Sequence, residues 1–204
     1  MGPGTSPEPS RPALFLDRDG VLNEEVGHLH DPRELVMIPR VGLVLADCNR
    51  RGVLVLVVTN QAGIERGRWG VDDYKGINRA MSEALARDGA RVDAWYFCPH
   101  APESACACRK PRPGMLLAAA SELGLDLRRS VLVGDQASDL EAARAAGARA
   151  VLVRTGLGRR AEAALAAGGR GDLFDACHDS LEHAHGTVLA LLGLGLGIGL
   201  GRSG

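Results

Sequence analysis

Short apolar runs of four to six residues alternate along this chain with longer stretches in which apolar side chains recur every three or four positions. Runs of the first kind fit strands buried on both faces, and the second pattern is the stripe of a helix packed by one side. Their alternation predicts an α/β protein with a doubly wound, mainly parallel sheet and helices on both faces. Strands are read at Ala13–Asp17, Val53–Val58, Val92–Phe97, Ser130–Gly134 and Ala150–Val153. One helix is read around Val41–Arg51 with Gly52 as its stop, and a second after Asp72, where Ile77, Met81 and Leu85 share a face until Gly89. A third covers about Met115–Leu123. Ser138 and Glu141 form a capping-box pattern for a fourth that ends near Gly147, and a fifth starts near Ser180 and carries Leu181, Ala184, Val188 and Leu191. No internal repeat interrupts this order.

The ends of the chain change character. The opening MGPGTSPEPSRP has the composition of a disordered tail, has no apolar leader, and fits the loose acylation pattern only through Gly2 and Ser6. The apolar run from Thr187 to Gly201 is about fifteen residues against the roughly twenty needed to span a bilayer, and its alternating glycines disfavour a helix. The expected organisation is a tail over 1–12, one domain over 13–192 and a flexible Gly/Leu-rich tail over 193–204. A length of 204 residues suits such a single domain. The net charge of −1 supplies no long-range field for nucleic acid or an anionic membrane, so a phosphate preference has to be local, and a small phosphorylated ligand is the better expectation. The expected setting is the cytoplasm, and nothing in the sequence demands a partner subunit, so a monomer is expected.

In an open α/β sheet, ligands bind past the carboxyl ends of the strands. The first strand runs into DRDGVLN, the second into TNQAG, the third into a Cys/His cluster and RKP, and the fourth into GDQASD. Asp17 and Asp19, with Gly20 allowing a tight turn, would repel each other at a buried strand end unless a cation sits between them. Asp135 and Asp139 repeat the situation. Either pair alone fits a loop cap or a turn, but two pairs at equivalent strand ends point to a hard divalent ion, Mg²⁺. A carboxylate on Mg²⁺ with a second one nearby suits displacement at phosphorus, one Asp attacking while the other handles protons. Thr59 and Asn60 could supply neutral donors, and Lys110 or Arg109 the positive charge.

Cys98, His100, Cys106 and Cys108 place three thiolates and an imidazole within eleven residues. That set suits tetrahedral Zn²⁺ with no open position, a structural site; reduced thiols in a loop are the simpler alternative, and iron-sulfur ligation usually takes four cysteines. Cys48 and Cys177 read as packing residues. His28, His30, His178, His183 and His185 have no ligand spacing.

The series DRDGVLN, TNQAGIERG, CRKPRPGM and GDQASD resembles the haloacid dehalogenase superfamily of phosphohydrolases, and within it the D-glycero-D-manno-heptose 1,7-bisphosphate 7-phosphatases, over about Ala13–Thr155. The resemblance implies a zinc-binding loop, no large cap domain, and removal of the 7-phosphate in the biosynthesis of nucleotide-activated heptose. It implies Asp17 as the nucleophile that forms an aspartyl-phosphate, and Asp19 as the acid that protonates the leaving oxygen and later activates water. It assigns Mg²⁺ to Asp17, the backbone carbonyl of Asp19, and Asp135, with Asp139 in support. Thr59, Asn60 and Gln61 would line the phosphate pocket, Arg109 and Lys110 would hold the phosphoryl group, and Glu25, Val26, Gly27 and His28 would face the sugar. Gln136 stands where relatives often have Lys, and Ala62 where many have Ser. Histidinol-phosphate phosphatases share similar motifs and a similar zinc loop, and polynucleotide 3′-phosphatases share the TNQxGI element without the cysteines. A zinc-stabilised binding protein without turnover is the alternative from outside enzymology.

Overall fold

The computed structural model describes residues 11–27 and 29–195. Six strands form one parallel sheet: β1 (Ala13–Leu16), β2 (Leu54–Asn60), β3 (Ala94–Cys98), β4 (Val131–Gly134), β5 (Arg149–Val153) and β6 (Ala176–His178), in the order β3-β2-β1-β4-β5-β6. Five α-helices connect them, α1 (Val41–Arg50), α2 (Val71–Ala86), α3 (Gly114–Leu123), α4 (Ala137–Ala146) and α5 (Gly158–Ala167), and α6 (Leu181–Leu191) follows β6.

The apolar runs are continuous because each strand feeds two cores. Leu14 and Leu16 of β1 point to one face with Val55 and Val57 of β2, Val131 and Val133 of β4, and Val151 and Val153 of β5. Phe15, Leu56, Val58, Leu132 and Leu152 point to the other. Helices α1, α2 and α6 cover the first face, through Leu45, Met81 and Val188 among others. Helices α3, α4 and α5 cover the second, through Leu116, Leu140 and Leu165.

Successive strands are added outward on one side as β1, β2, β3 and then on the other as β4, β5, β6, so β1 and β4 are neighbours although two strands separate them in sequence. Their carboxyl ends therefore flank the crevice that such sheets use for ligands. Gly20, just past β1, has φ +81, and a β-carbon there would meet Asp135 Oδ2 at 2.2 Å. A left-handed glycine is what lets the first loop lie directly on the carboxylate after β4.

Several sequence expectations move. Strand β2 extends to Asn60, because Thr59 and Asn60 pair with Phe97 and Cys98 of β3. The opening of α4 lies at Gln136, whose N–H donates to Asp139 Oδ2 at 3.0 Å, in place of the expected Ser138/Glu141 box. Strand β6 and helix α5 were not anticipated. The helix expected from near Ser180 is α6, and Val188, Leu189 and Leu192 at its end are buried, so the apolar run that begins at Thr187 starts inside the fold. The two tail expectations and the Gly2/Ser6 pattern fall largely outside the described residues; at the inner edge, Arg11 is tied to the turn after α3 by Arg11 N–H to Gly124 O and Asp126 N–H to Arg11 O. No helix among the described residues is long and apolar enough to cross a membrane.

Candidate active site

Four buried charged groups from three loops meet at the switch point. Asp17 follows β1, Asp135 follows β4, Asp139 lies in the first turn of α4, and Lys110 comes from the segment between β3 and α3. Lys110 Nζ lies 2.9 Å from Asp17 Oδ1 and 2.6 Å from Asp139 Oδ1, and donates to Val58 O at 2.7 Å. Asn60 holds the lysine's backbone from both sides, accepting from Lys110 N–H at 3.1 Å and donating to Lys110 O at 3.0 Å. The amide expected to donate to phosphate thus serves to position Lys110.

Three acids around one ammonium leave an imbalance. Burial pushes the Asp17 carboxyl up to about 8, against the pull of Lys110 and with Asp139, Asp135 and Asp19 adding to the push. Burial likewise pushes Asp135 up to about 7, although it accepts from Leu157 N–H at 2.7 Å. For Lys110, burial works against the charged form, but Asp139 and Asp17 outweigh it and raise its pKa. Carboxylate oxygens of Asp17, Asp135 and Asp139 lie within 4.8 Å of one another, so these residues could hold a metal ion. Asp139 has one oxygen on Lys110 and the other on Gln136 N–H, whereas Asp135 keeps a buried oxygen, Oδ1, with no hydrogen-bond partner. An unpartnered buried carboxylate oxygen facing two more acids fits a hard cation.

Asp19 is organised differently. Its carboxylate is gripped by the Arg18 guanidinium through contacts of 2.9–3.2 Å, and accepts from Asn23 Nδ2 at 3.0 Å and Gln61 Nε2 at 3.3 Å. Its side chain therefore stays out of the three-acid cluster. Arg18 is 1% exposed and its guanidinium sits 5.9 Å from the centre of the Tyr74 ring. Nothing in the sequence marked this arginine as interior, since a charge between two acids at a strand end reads as a loop residue.

A cleft of about 180 Å³ opens over these groups. Of the residues expected to contact substrate, Glu25, Gly27, Thr59, Asn60, Gln61, Ala62, Lys110 and Gln136 line it with Asp17 and Asp19. Thr59 Oγ1 accepts from Gln61 Nε2 at 3.0 Å, so its own O–H can donate into the cleft. Val26 is not among the lining residues and is 48% exposed. Arg109 is not among them either, and its guanidinium donates to His100 O at 3.2 Å, so only Lys110 of the expected cationic pair reaches the acids. His28 lies outside the described residues. The sequence reading missed Leu29, Arg66, Arg68, Trp69 and Ser138, which also line the cleft. Arg66 is inside the quoted TNQAGIERG motif, and that adjacency was the available signal.

Cys98, at the end of β3, His100, Cys106 and Cys108 converge beside the cleft. Cys98 Sγ is 3.6 Å from Cys106 Sγ and 3.2 Å from Cys108 Sγ, and His100 Nδ1 is 3.5 Å from Cys98 Sγ and 3.3 Å from Cys108 Sγ. No disulfide forms among them. The edges of a tetrahedral Zn site with these donors are about 3.6–3.8 Å, from Zn–S and Zn–N bond lengths, so the cluster could hold zinc with little movement. Burial pushes the Cys98 thiol up to about 12, with the neighbouring Cys108 and Cys106 thiols adding to it, a cost that a bound cation removes by taking the thiolate.

A buried carboxylate beside a lysine, with further acids at the carboxyl edge of a doubly wound sheet, is an arrangement suited to phosphoryl transfer. A family model described as HAD-hydrolase-like matches residues 107–181. Over 155 residues, 72% of this chain and 83% of the relative, the sequence is 42% identical to the D-glycero-beta-D-manno-heptose-1,7-bisphosphate 7-phosphatase of Vibrio cholerae. Over 161 residues, 74% of this chain and 82% of the relative, it is 44% identical to the D-glycero-D-manno-heptose-1,7-bisphosphate 7-phosphatase of Thermosynechococcus vestitus. The crystal structure of D,D-heptose 1,7-bisphosphate phosphatase from B. bronchiseptica, complexed with magnesium and phosphate, superposes with a TM-score of 0.81 at 36% identity, covering 88% of this chain and 98% of that one. The chain belongs to the heptose-1,7-bisphosphate 7-phosphatase family of haloacid-dehalogenase-like phosphatases.

Proposed function

We propose that this chain hydrolyses the 7-phosphate of D-glycero-D-manno-heptose 1,7-bisphosphate, with Asp17 as nucleophile. The observation that carries the reading is the Asp17–Lys110–Asp139 contact beside the half-satisfied Asp135, in a chain about 40% identical to relatives bearing that activity in their names. Asp17 attacks phosphorus, the bond from phosphorus to the sugar oxygen breaks, and the leaving oxygen takes a proton from Asp19. A water that gives its proton back to Asp19 then cleaves the aspartyl-phosphate and releases inorganic phosphate. Thr59 and Lys110 supply donors to the phosphoryl oxygens, and Gln61 and Arg18 fix Asp19 beside them. Mg²⁺, held by Asp17 and Asp135 with the Asp19 carbonyl, would neutralise charge on the phosphoryl group. Zn²⁺ at Cys98, His100, Cys106 and Cys108 would be structural. A monomer acting in the cytoplasm is the simplest setting for a small sugar phosphate.

Phosphate release from the heptose bisphosphate, histidinol phosphate and a 3′-phosphorylated oligonucleotide, each with and without Mg²⁺, tests the substrate. Release from the heptose compound should exceed the others at least about a hundredfold in kcat/KM and require the metal. Equal rates on histidinol phosphate would transfer the assignment to that substrate.

The acids also set a pH dependence. Carboxyls raised from the ordinary 3.8 to about 8 and about 7 bind more protons folded than unfolded, so metal-free stability falls as pH rises through that window. A divalent cation displaces those protons, and its affinity therefore rises with pH. At a hundredfold excess over Kd, Mg²⁺ should add about 2.7 kcal/mol, or roughly 5–10 °C in Tm. At fixed Mg²⁺ the gain should be larger at pH 8 than at pH 6, with proton release on binding seen calorimetrically in buffers of different ionisation enthalpy. A gain independent of pH would mean that the acids are already ionised without the cation.

For the Cys/His cluster, Cys106→Ala is expected to lower zinc content, measured by metal analysis, and to reduce Tm by roughly 5 °C or more. Selectivity between the three substrates should weaken before kcat does. Unchanged zinc, Tm and kinetics together would rule out the structural role.

A further inference from the structure

We propose that Arg66 and Arg68 form a second phosphate subsite at the rim of the cleft, taking the phosphate of a sugar bisphosphate that is not being cleaved; this rests on the phosphatase reading of the floor. Both residues line the same cleft as Asp17 and Lys110, and both are exposed. The two deeper cations are committed elsewhere. Arg18 is bidentate to Asp19, and Lys110 is shared between Asp17 and Asp139. Four acids, Asp17, Asp19, Glu25 and Asp139, also line the cleft, so a second phosphate off the floor meets repulsion unless a cation receives it. At about 180 Å³ the cleft is smaller than the ~300–1,000 Å³ that encloses a ligand fully, so the far end of a bisphosphate lies at the rim.

The loop after β2 is built to present this pair. Arg66 N–H donates to Ala62 O at 3.2 Å and Arg68 N–H to Gly63 O at 2.9 Å, with Gly67 at φ +64 between them. Glu65 ties the loop to the Cys/His segment, accepting from Ala101 N–H and from Ser104 Oγ at 2.7 Å, while its own N–H donates to Pro99 O at 3.2 Å. On the other side Trp69 packs so tightly on Gly63 that a β-carbon there would lie 2.1 Å from the indole. Arg66 meets Glu103 at 3.2 Å in a pair 42% and 72% exposed, the kind of weak surface contact that yields to a doubly charged ligand. Planar guanidinium donors match phosphate oxygens two at a time.

The test is inhibition of p-nitrophenyl phosphate hydrolysis by glucose 1,6-bisphosphate and by glucose 6-phosphate, in the Mg²⁺-loaded wild type, R66Q, R68Q and the double variant. The wild type should bind the bisphosphate at least about thirtyfold more tightly than the monophosphate, and the double variant should bring that ratio within about threefold of unity, with each single variant between. A ratio near unity in the wild type, or one preserved in the double variant, would overturn the subsite. Because both substitutions are at exposed positions, Tm serves as the folding control, and R66K and R68K should keep part of the ratio. The ratio does not use the heptose compound. Failure to cleave heptose bisphosphate would therefore count against the proposed substrate and leave the subsite decided by the inhibition data.

Discussion

Asp17→Asn is expected to lower kcat by about 10⁴-fold or more while leaving the folded protein intact, as measured by single-turnover phosphate release and thermal melting. The asparagine keeps the shape of the side chain and an oxygen that can accept from Arg18 N–H and Lys110, which lie 2.8 and 2.9 Å from Oδ1 in the wild type. It removes a charge that burial already disfavours, since the Asp17 carboxyl is pushed up to about 8. The metal-free variant should therefore be at least as stable as the wild type above pH 8, where the wild-type carboxyl must ionise inside the protein. Inactivity combined with greater alkaline stability separates loss of the nucleophile from loss of the fold. Retained turnover would remove Asp17 from its assigned role.

Lys110→Met acts in the opposite sense on stability. The ammonium is 3% exposed and counters two carboxylates, and its removal strands both beside Val58 O. Breaking a buried ion pair by deleting one partner costs about 3–5 kcal/mol, roughly 6–20 °C in Tm for a chain of this size. The deficit should be largest above pH 8, where the Asp17 carboxyl is ionised, and shrink as pH falls and that carboxyl takes up a proton; at high pH it should also shrink when Asp17→Asn is added, since the second substitution removes one stranded charge. Turnover should fall about 10²–10³-fold even when Mg²⁺ restores the fold, because a donor to the phosphoryl oxygens is lost. A melting curve that matches the wild type above pH 8 without metal would show that the buried acids do not depend on this lysine.

The sheet was legible because its strands are buried on both faces, and that leaves continuous runs such as Leu54–Val58. Strand β6 escaped because Ala176–His178 is short, half-buried and polar at its end. Helix α5 escaped because GRRAEAALAA carries alanines and arginines with only Leu165 deeply buried beyond its first residue, so no apolar stripe stands out. The acids at the strand ends could be found because their cost in a buried setting demands a cation. Partners could not be found this way. That Asn60 holds Lys110, or that Arg109 turns to His100 O, depends on where two loops meet across the β2–β3 pair. Arg18 shows the same limit, since only Tyr74, Asn23 and Gln61, remote or displaced in sequence, explain how a guanidinium and its carboxylate sit in the interior.

The parallel order β3-β2-β1-β4-β5-β6 places the proposed hydrolytic groups just past the two central strands and on Lys110, while the walls come from the loop after the first motif and the loop after β2. On the proposed function, bond cleavage and molecular recognition would be carried by separable pieces of chain. Residues 24–30 and 61–70 could be exchanged as cassettes, with Gln61, Gly63 and Glu65 retained as fixed joints, to redirect the hydrolytic floor toward other phosphorylated small molecules. Evolution can drift along the same seam, altering what is admitted while the reaction stays the same.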